Sequence, residues 1–222
     1  MERIGFVINV YKDEQLAVRL VNRIKDLHPT APITLVFDGE ESFSLPGVTT
    51  LAGERLKLAS TGVLWVLRYL QAGYDMDCEY VIKMDPDSYL VNRISFIPKG
   101  DIAGAPCEYP GTTTASGGVF CITREAIGKI LSIKDYLMKL RKYSNLGGYY
   151  RYTDYRHPWE AETADKIAIE ELIITDFMVK CGLVFTEWPG IVNRFRPPYE
   201  TLEGHNRTIA IHPYIGDDTC RI

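Results

Sequence analysis

Asp85 and Asp87, separated only by Pro86, follow the apolar run Tyr80-Val81-Ile82-Lys83-Met84 and lead into Ser88-Tyr89-Leu90. On an extended backbone, residues i and i+2 face the same way, so two carboxylates at this spacing can converge on one hard divalent cation. Pro86 fixes its own φ and removes a ladder donor, which suits the exit of a strand. The apolar run reads as a buried strand of a parallel sheet, and ligands of open α/β sheets gather at the C-terminal ends of such strands. A polar turn closing a strand has the same residues, so the pair takes its meaning from the elements around it.

Hydrophobic periodicity predicts those elements. Ile4–Val10 (IGFVINV) is apolar and β-branched, as a buried strand requires. Tyr11–Leu27 places Leu16, Leu20, Ile24 and Leu27 at helical spacing, with Asp13 as its N-cap and His28-Pro29 as its stop. Ile33–Phe37 is a second strand closed by Asp38-Gly39, and strand, helix and strand at this spacing predict a right-handed βαβ unit. Gly47–Leu51 reads as a short strand. Glu54–Ala72 reads as a long helix with Leu56, Ala59, Val63, Val66, Leu67 and Leu70 on one face and Gly73 as its C-cap. Beyond the Asp pair, strands are expected at Asp101–Ala105, Ala115–Thr123, Leu183–Thr186 and Ile209–His212. Helices are expected after the capping Thr123, with Ala126, Ile127, Ile130 and Leu131 inward, and over Ala168–Cys181, closed by Gly182. Lys142–Lys166 is aromatic and polar without a period, which predicts a long loop.

With 222 residues the chain is expected to form one α/β domain with a substantial core. A net charge of −4 carries no polyanion-binding signature, so no nucleic-acid partner is expected. No apolar stretch approaches the roughly 18 residues of a membrane span, and Asn9 and Lys12-Asp13-Glu14 break up the N-terminal run that a signal peptide would need. The five cysteines (Cys78, Cys107, Cys121, Cys181, Cys220) form no Cys-x-x-Cys pair, which suggests reduced thiols and a cytoplasmic protein.

Lys83-Met84-Asp85-Pro86-Asp87-Ser88-Tyr89-Leu90 resembles the metal-binding Asp-x-Asp segment of GT-A glycosyltransferases, above all the β-1,3-transferase (Fringe-like) branch, where a Lys two residues before and an aromatic two residues after are typical. Ala115–Thr123 (ASGGVFCIT) is similar to the Ser-Gly-Gly acceptor-side segment of that branch. Glu170-Glu171 resembles its Glu-Asp catalytic segment, and Ile211-His212-Pro213 its late metal-binding His. The four occur in family order and span most of the chain.

The resemblance implies a single GT-A (Rossmann-like) domain with a mixed, mainly parallel sheet. Residues 1–90 would be the nucleotide-binding half and 91–222 the acceptor-side half. It implies that Asp85, Asp87 and His212 hold Mn²⁺, with Mg²⁺ as the alternative, since hard oxygens plus one imidazole suit these ions. Asn9, Val10, Tyr11 and Asp38 occupy the positions that meet the nucleotide, Lys83 and Asp85 belong to the donor site, and Gly117 and Gly118 would let backbone approach the sugar or acceptor. Arg55 and Lys57 could reach the pyrophosphate, and a solvated helix face explains them as well. An inverting transfer needs a carboxylate base. Glu171 stands where the family usually has Asp, and Asp176, about one and a half turns further along the helix, competes for the role. His157, Trp159, Tyr149, Tyr150, Tyr152 and Tyr155 in the long loop suggest a lid over sugar rings. Trp188 belongs either to the same cleft or to the core.

The expected function is therefore metal-dependent transfer of a sugar from a nucleoside diphosphate sugar, UDP favoured, to a carbohydrate or other hydroxyl acceptor. One rival is a haloacid-dehalogenase-like phosphohydrolase, whose Asp-x-Asp normally follows the first strand. A nucleotidyltransferase would want a Gly-rich basic loop after Ile4–Val10, which Asn9–Gln15 does not offer. A non-catalytic nucleotide- or sugar-binding protein is the third alternative.

Overall fold

A computed structural model of the chain describes residues 3–11, 13–56, 61–109, 112–135, 170–193 and 207–212. Seven strands form the main sheet: β1 (Ile4–Val10), β2 (Ile33–Phe37), β3 (Thr49–Leu51), β4 (Tyr80–Met84), β6 (Ile102–Tyr109), β7 (Thr112–Thr123) and β8 (Phe185–Glu187), in the order β3-β2-β1-β4-β7-β6-β8. β3, β2, β1 and β4 pair in parallel. β7 alone runs against its neighbours β4 and β6, and β8 pairs with β6 in parallel. A second sheet consists of β5 (Tyr89–Leu90), β9 (Ile191–Asn193) and β10 (Ala210–His212), with β10 in the middle.

The helices α1 (Glu14–Leu27), α2 (Gly62–Asp75), α3 (Arg124–Ser132) and α4 (Glu170–Cys181) cover both faces of the main sheet. Successive strand residues point to opposite faces. Thus Phe6, Ile8 and Val10 pack with Leu20, Val21 and Ile24 of α1, while Val7 and Val81 pack with α2, α3 and α4 through Val66, Leu70, Ile127 and Phe177. Burial on both faces is why β1, β2 and β4 read as nearly continuous apolar runs, broken only by the buried polar residues Asn9, Thr34 and Lys83, rather than as alternating ones. Each buried aliphatic side chain contributes about 1.5–3 kcal/mol to this core.

The expected α/β architecture and a mixed, mainly parallel sheet are observed. β1, β2 and β4 have the expected limits, and the Thr123 hydroxyl accepts the Ala126 N–H at 3.1 Å, capping α3. The predicted helix over Glu54–Ala72 is instead α2, Gly62–Asp75. Residues 54–56 are drawn out of a helix because the Asp38 carboxylate accepts the Leu56 N–H at 2.5 Å and Arg68 donates to the Glu54 carbonyl at 3.0 Å. Gly73 does not end α2. It lies inside it, where a Cβ would come within 2.8 Å of Val81 Cγ1, so it serves helix–sheet packing. Asp13 occupies the N-cap position of α1 without a side-chain capping bond. β6 and β7 extend beyond the predicted strands because they pair with each other as far as Tyr109 and Thr112. The loop expected at 142–166 lies outside the described residues, as do positions 168 and 169 of the expected last helix. None of the helices among the described residues is long and apolar enough to cross a membrane.

Candidate metal centre and cleft

β4 lies between β1 and β7, so its C-terminal end opens at the middle of the sheet and carries Asp85 and Asp87 there. The Asp85 N–H donates to the Gly118 carbonyl at 2.9 Å, which ties the motif to β7. β5 starts two residues after Asp87 and pairs antiparallel with β10, Tyr89 opposite Ile211 and Leu90 opposite Ala210. One step further in that register, β10 brings His212 beside the Asp pair. Its Nε2 is 3.2 Å from Asp87 Oδ1 and 3.6 Å from Asp85 Oδ2.

The opposite edge of the imidazole lies against Gly118. A Cβ on that residue would fall 1.9 Å from His212 Nδ1, so only glycine leaves room for the ring. Burial lowers the pKa of His212, while the hydrogen bond to Asp87 and the charges of Asp85 and Asp87 raise it. Lys83 opposes them, and the net result lies above the ordinary 6.5. The two carboxylates thus favour positive charge at this point.

Behind Asp85 sits Lys83, with only 1% of its side chain exposed. A buried ammonium needs acceptors for all three N–H groups. Lys83 Nζ has Asp85 Oδ1 at 2.7 Å, Glu170 Oε1 at 2.9 Å and the Gly117 carbonyl. The rings of Tyr69 and Phe120 lie 5.9 and 5.8 Å from it. Burial alone would lower the pKa of Lys83, but Asp85 and Glu170 raise it beyond the ordinary lysine range, so the group is a fixed cation. Burial pushes the Tyr69 hydroxyl well up, with the charge of Glu170 adding to the effect. Next to Glu170 on the first turn of α4, Glu171 Oε1 accepts the Gly117 N–H at 3.1 Å.

Asn9, Val10, Tyr11, Asp38, Asp85 and Asp87 line one cleft of about 270 Å³ at the C-terminal ends of β1, β2 and β4, with Trp65 of α2 on its wall. Asn9 is only 4% exposed, and neither atom of its amide has a hydrogen-bond partner among the described residues. Arg55 spans the rim. Its guanidinium lies 4.6 Å from the centroid of the Tyr11 ring and its Nε is 3.9 Å from Asp38 Oδ2.

Of the remaining sequence candidates, Gly117 and Gly118 adjoin the centre, but the space beside them is taken by Glu171 and His212. Asp176 is half-buried on α4, about 140° round the helix axis from Glu171. Lys57 and the aromatic residues between 149 and 159 lie outside the described residues. Trp188 is 2% exposed and belongs to the core on the α1 side of the sheet.

The donor set suits a divalent cation. Ligating atoms of Asp85, Asp87 and His212 lie within 4.8 Å of one another, close enough for the three to hold one metal ion. Sequence reasoning placed Glu170 in the Glu-Asp-like segment without a role of its own, and assigned none to Tyr69 or Trp65. Glu170 had a signal: a lysine inside an apolar strand calls for a buried acid elsewhere in the chain. No known family profile matches the chain, and a search of curated proteins finds no match either.

Proposed function

We propose that the protein is a metal-dependent glycosyltransferase of the GT-A type, moving a sugar from a nucleoside diphosphate sugar, a UDP-sugar favoured, to a hydroxyl acceptor with inversion. The observation that carries this reading is the convergence of Asp85, Asp87 and His212 beside a cleft at the strand ends. A divalent cation held there would offset the charge of a leaving pyrophosphate. Asn9 supplies an unpartnered donor and acceptor to a base or ribose, and Tyr11, with the Arg55 guanidinium over its ring, stands on the same cleft wall. Asp38 lines the same cleft, with Oδ1 accepting the Leu56 N–H and Oδ2 beside Arg55 Nε at 3.9 Å, where it stands next to a bound ribose in this reading. Glu171 is the base in this reading, because Gly117 holds Oε1 and leaves Oε2 uncommitted by that bond.

Calorimetric titration of UDP and GDP, with and without Mn²⁺, tests the proposal on the wild type and on Asp87→Ala. Metal-dependent binding of one nucleotide, lost in the variant, is the expected result. Absence of binding to either nucleotide in the presence of metal overturns it. Binding without sugar transfer or donor hydrolysis would leave a nucleotide-binding protein rather than an enzyme.

A further inference from the structure

We propose that Lys83 and Glu170 are positioning residues of the cation site, linking it to the first turn of α4 that bears Glu171. This rests on reading Asp85, Asp87 and His212 as cation ligands. Lys83 is turned away from a phosphate: with 1% of its side chain exposed, Nζ donates to Asp85 Oδ1 and the Gly117 carbonyl and is ion-paired with Glu170 Oε1 at 2.9 Å. It acts on the site through Asp85. Holding Oδ1 at 2.7 Å turns Oδ2 toward His212, the side on which a shared cation would be bound.

The same ammonium fixes the α4 end. Glu170 is buried at 5% exposure and reaches Lys83 from the helix's first residue. Gly117 is held through both of its backbone polar groups, its carbonyl by Lys83 and its N–H by Glu171. A cation ligand and the candidate base thus share one buried support, which crosses from β4 through β7 to α4. Partners that orient a metal ligand from behind typically change metal affinity by about 10- to 100-fold when removed.

Charge and positioning make opposite forecasts, which makes the idea testable. By charge alone, Lys83→Met removes a positive group near the site and tightens cation binding. By positioning, it frees Asp85 and weakens binding by about 10- to 100-fold. Glu170→Gln and Glu170→Ala remove the same charge, but only Gln keeps an oxygen to accept from Lys83.

The experiment is calorimetric titration of Mn²⁺ into the wild type and the three variants, with thermal melts to establish that each is folded. The expected result is weaker binding by Glu170→Ala than by Glu170→Gln, with Lys83→Met weaker than the wild type where it folds. Equal affinities for the two Glu170 variants, or tighter binding by Lys83→Met, overturn the positioning role while leaving the cation site intact. Failure of the wild type to bind Mn²⁺ overturns the cation site itself, and the positioning role with it.

Discussion

Gly118→Ala is the sharpest single test of how the centre is built. The added methyl would sit 1.9 Å from His212 Nδ1 and 2.2 Å from its Cγ. Carbon and nitrogen need about 3.5 Å, so the imidazole must withdraw by roughly 1.5 Å. A ligand must hold its place to within about 0.5 Å to work. A displaced His212 therefore leaves a two-carboxylate site, and Mn²⁺ affinity should fall about 10- to 100-fold, as for His212→Ala. Overpacking of this kind costs about 1–3 kcal/mol, so the fold should survive with a melting temperature lowered by several degrees. Gly117→Ala is the matched control. Its methyl meets Glu171 Oε1 at 2.8 Å, the far end of a flexible side chain, and should leave cation binding near the wild-type level. Calorimetry with Mn²⁺ on both variants decides the matter. Wild-type affinity in Gly118→Ala, or equal losses in both, would refute the seating of His212 against Gly118.

Four further outcomes are expected. Glu171→Gln should lower transfer by about 10²- to 10⁴-fold while leaving nucleotide affinity intact, whereas Asp176→Asn, on a different side of α4, should change it little; the reverse ranking moves the base to Asp176. Asn9→Ala should weaken nucleotide binding several-fold with little change in urea midpoint, because the amide has no hydrogen bond among the described residues to lose. Mn²⁺ affinity should decline as pH falls through the raised pKa of His212, approaching tenfold per unit below it, since a proton and the cation compete for one nitrogen; a flat profile would remove His212 from the ligand set. His28 tests the opposite sign, away from the candidate metal centre. Burial, then Arg93, lowers its pKa beneath 6.5, and its Nε2 accepts the Ile94 N–H at 3.1 Å. As pH drops below 6.5 the unfolded chain takes up a proton that the folded one refuses, so the protein loses stability there. His28→Gln should lack this part of the pH dependence in urea melts at pH 5.5 and 7.5, and an unchanged dependence would refute the assignment.

Much of the frame is local and so was legible in the chain. β1, β2 and β4 lie where β-branched apolar runs require strands, and Thr123 caps α3 with a bond that its own chemistry supplies. Asp85 and Asp87 are legible as a pair at a strand exit, but the strand period does not align them. β4 ends at Met84 and Asp85–Ser88 form a turn closed by the Ser88 N–H to the Asp85 carbonyl at 3.0 Å, so turn geometry brings the two carboxylates together. The start of α2 was not legible, since the bond that pulls Leu56 out of helical geometry comes from Asp38, eighteen residues away. Nor could periodicity identify Gly73 as a packing contact rather than a stop, because its partner, Val81, lies in another element.

What the sequence alone determined is a parallel α/β frame with two carboxylates at the end of a central strand. What only the tertiary structure decided is what surrounds them: β10 pairing with β5 to bring His212 across, the glycine gaps that seat His212 and Glu171, and the buried Lys83–Glu170 pair. The physical reason is sequence distance. Local periodicity records which face a residue takes on its own element, whereas the partner that shares its burial comes from an element folded against it, more than 80 residues along the chain for Glu170 and more than 120 for His212.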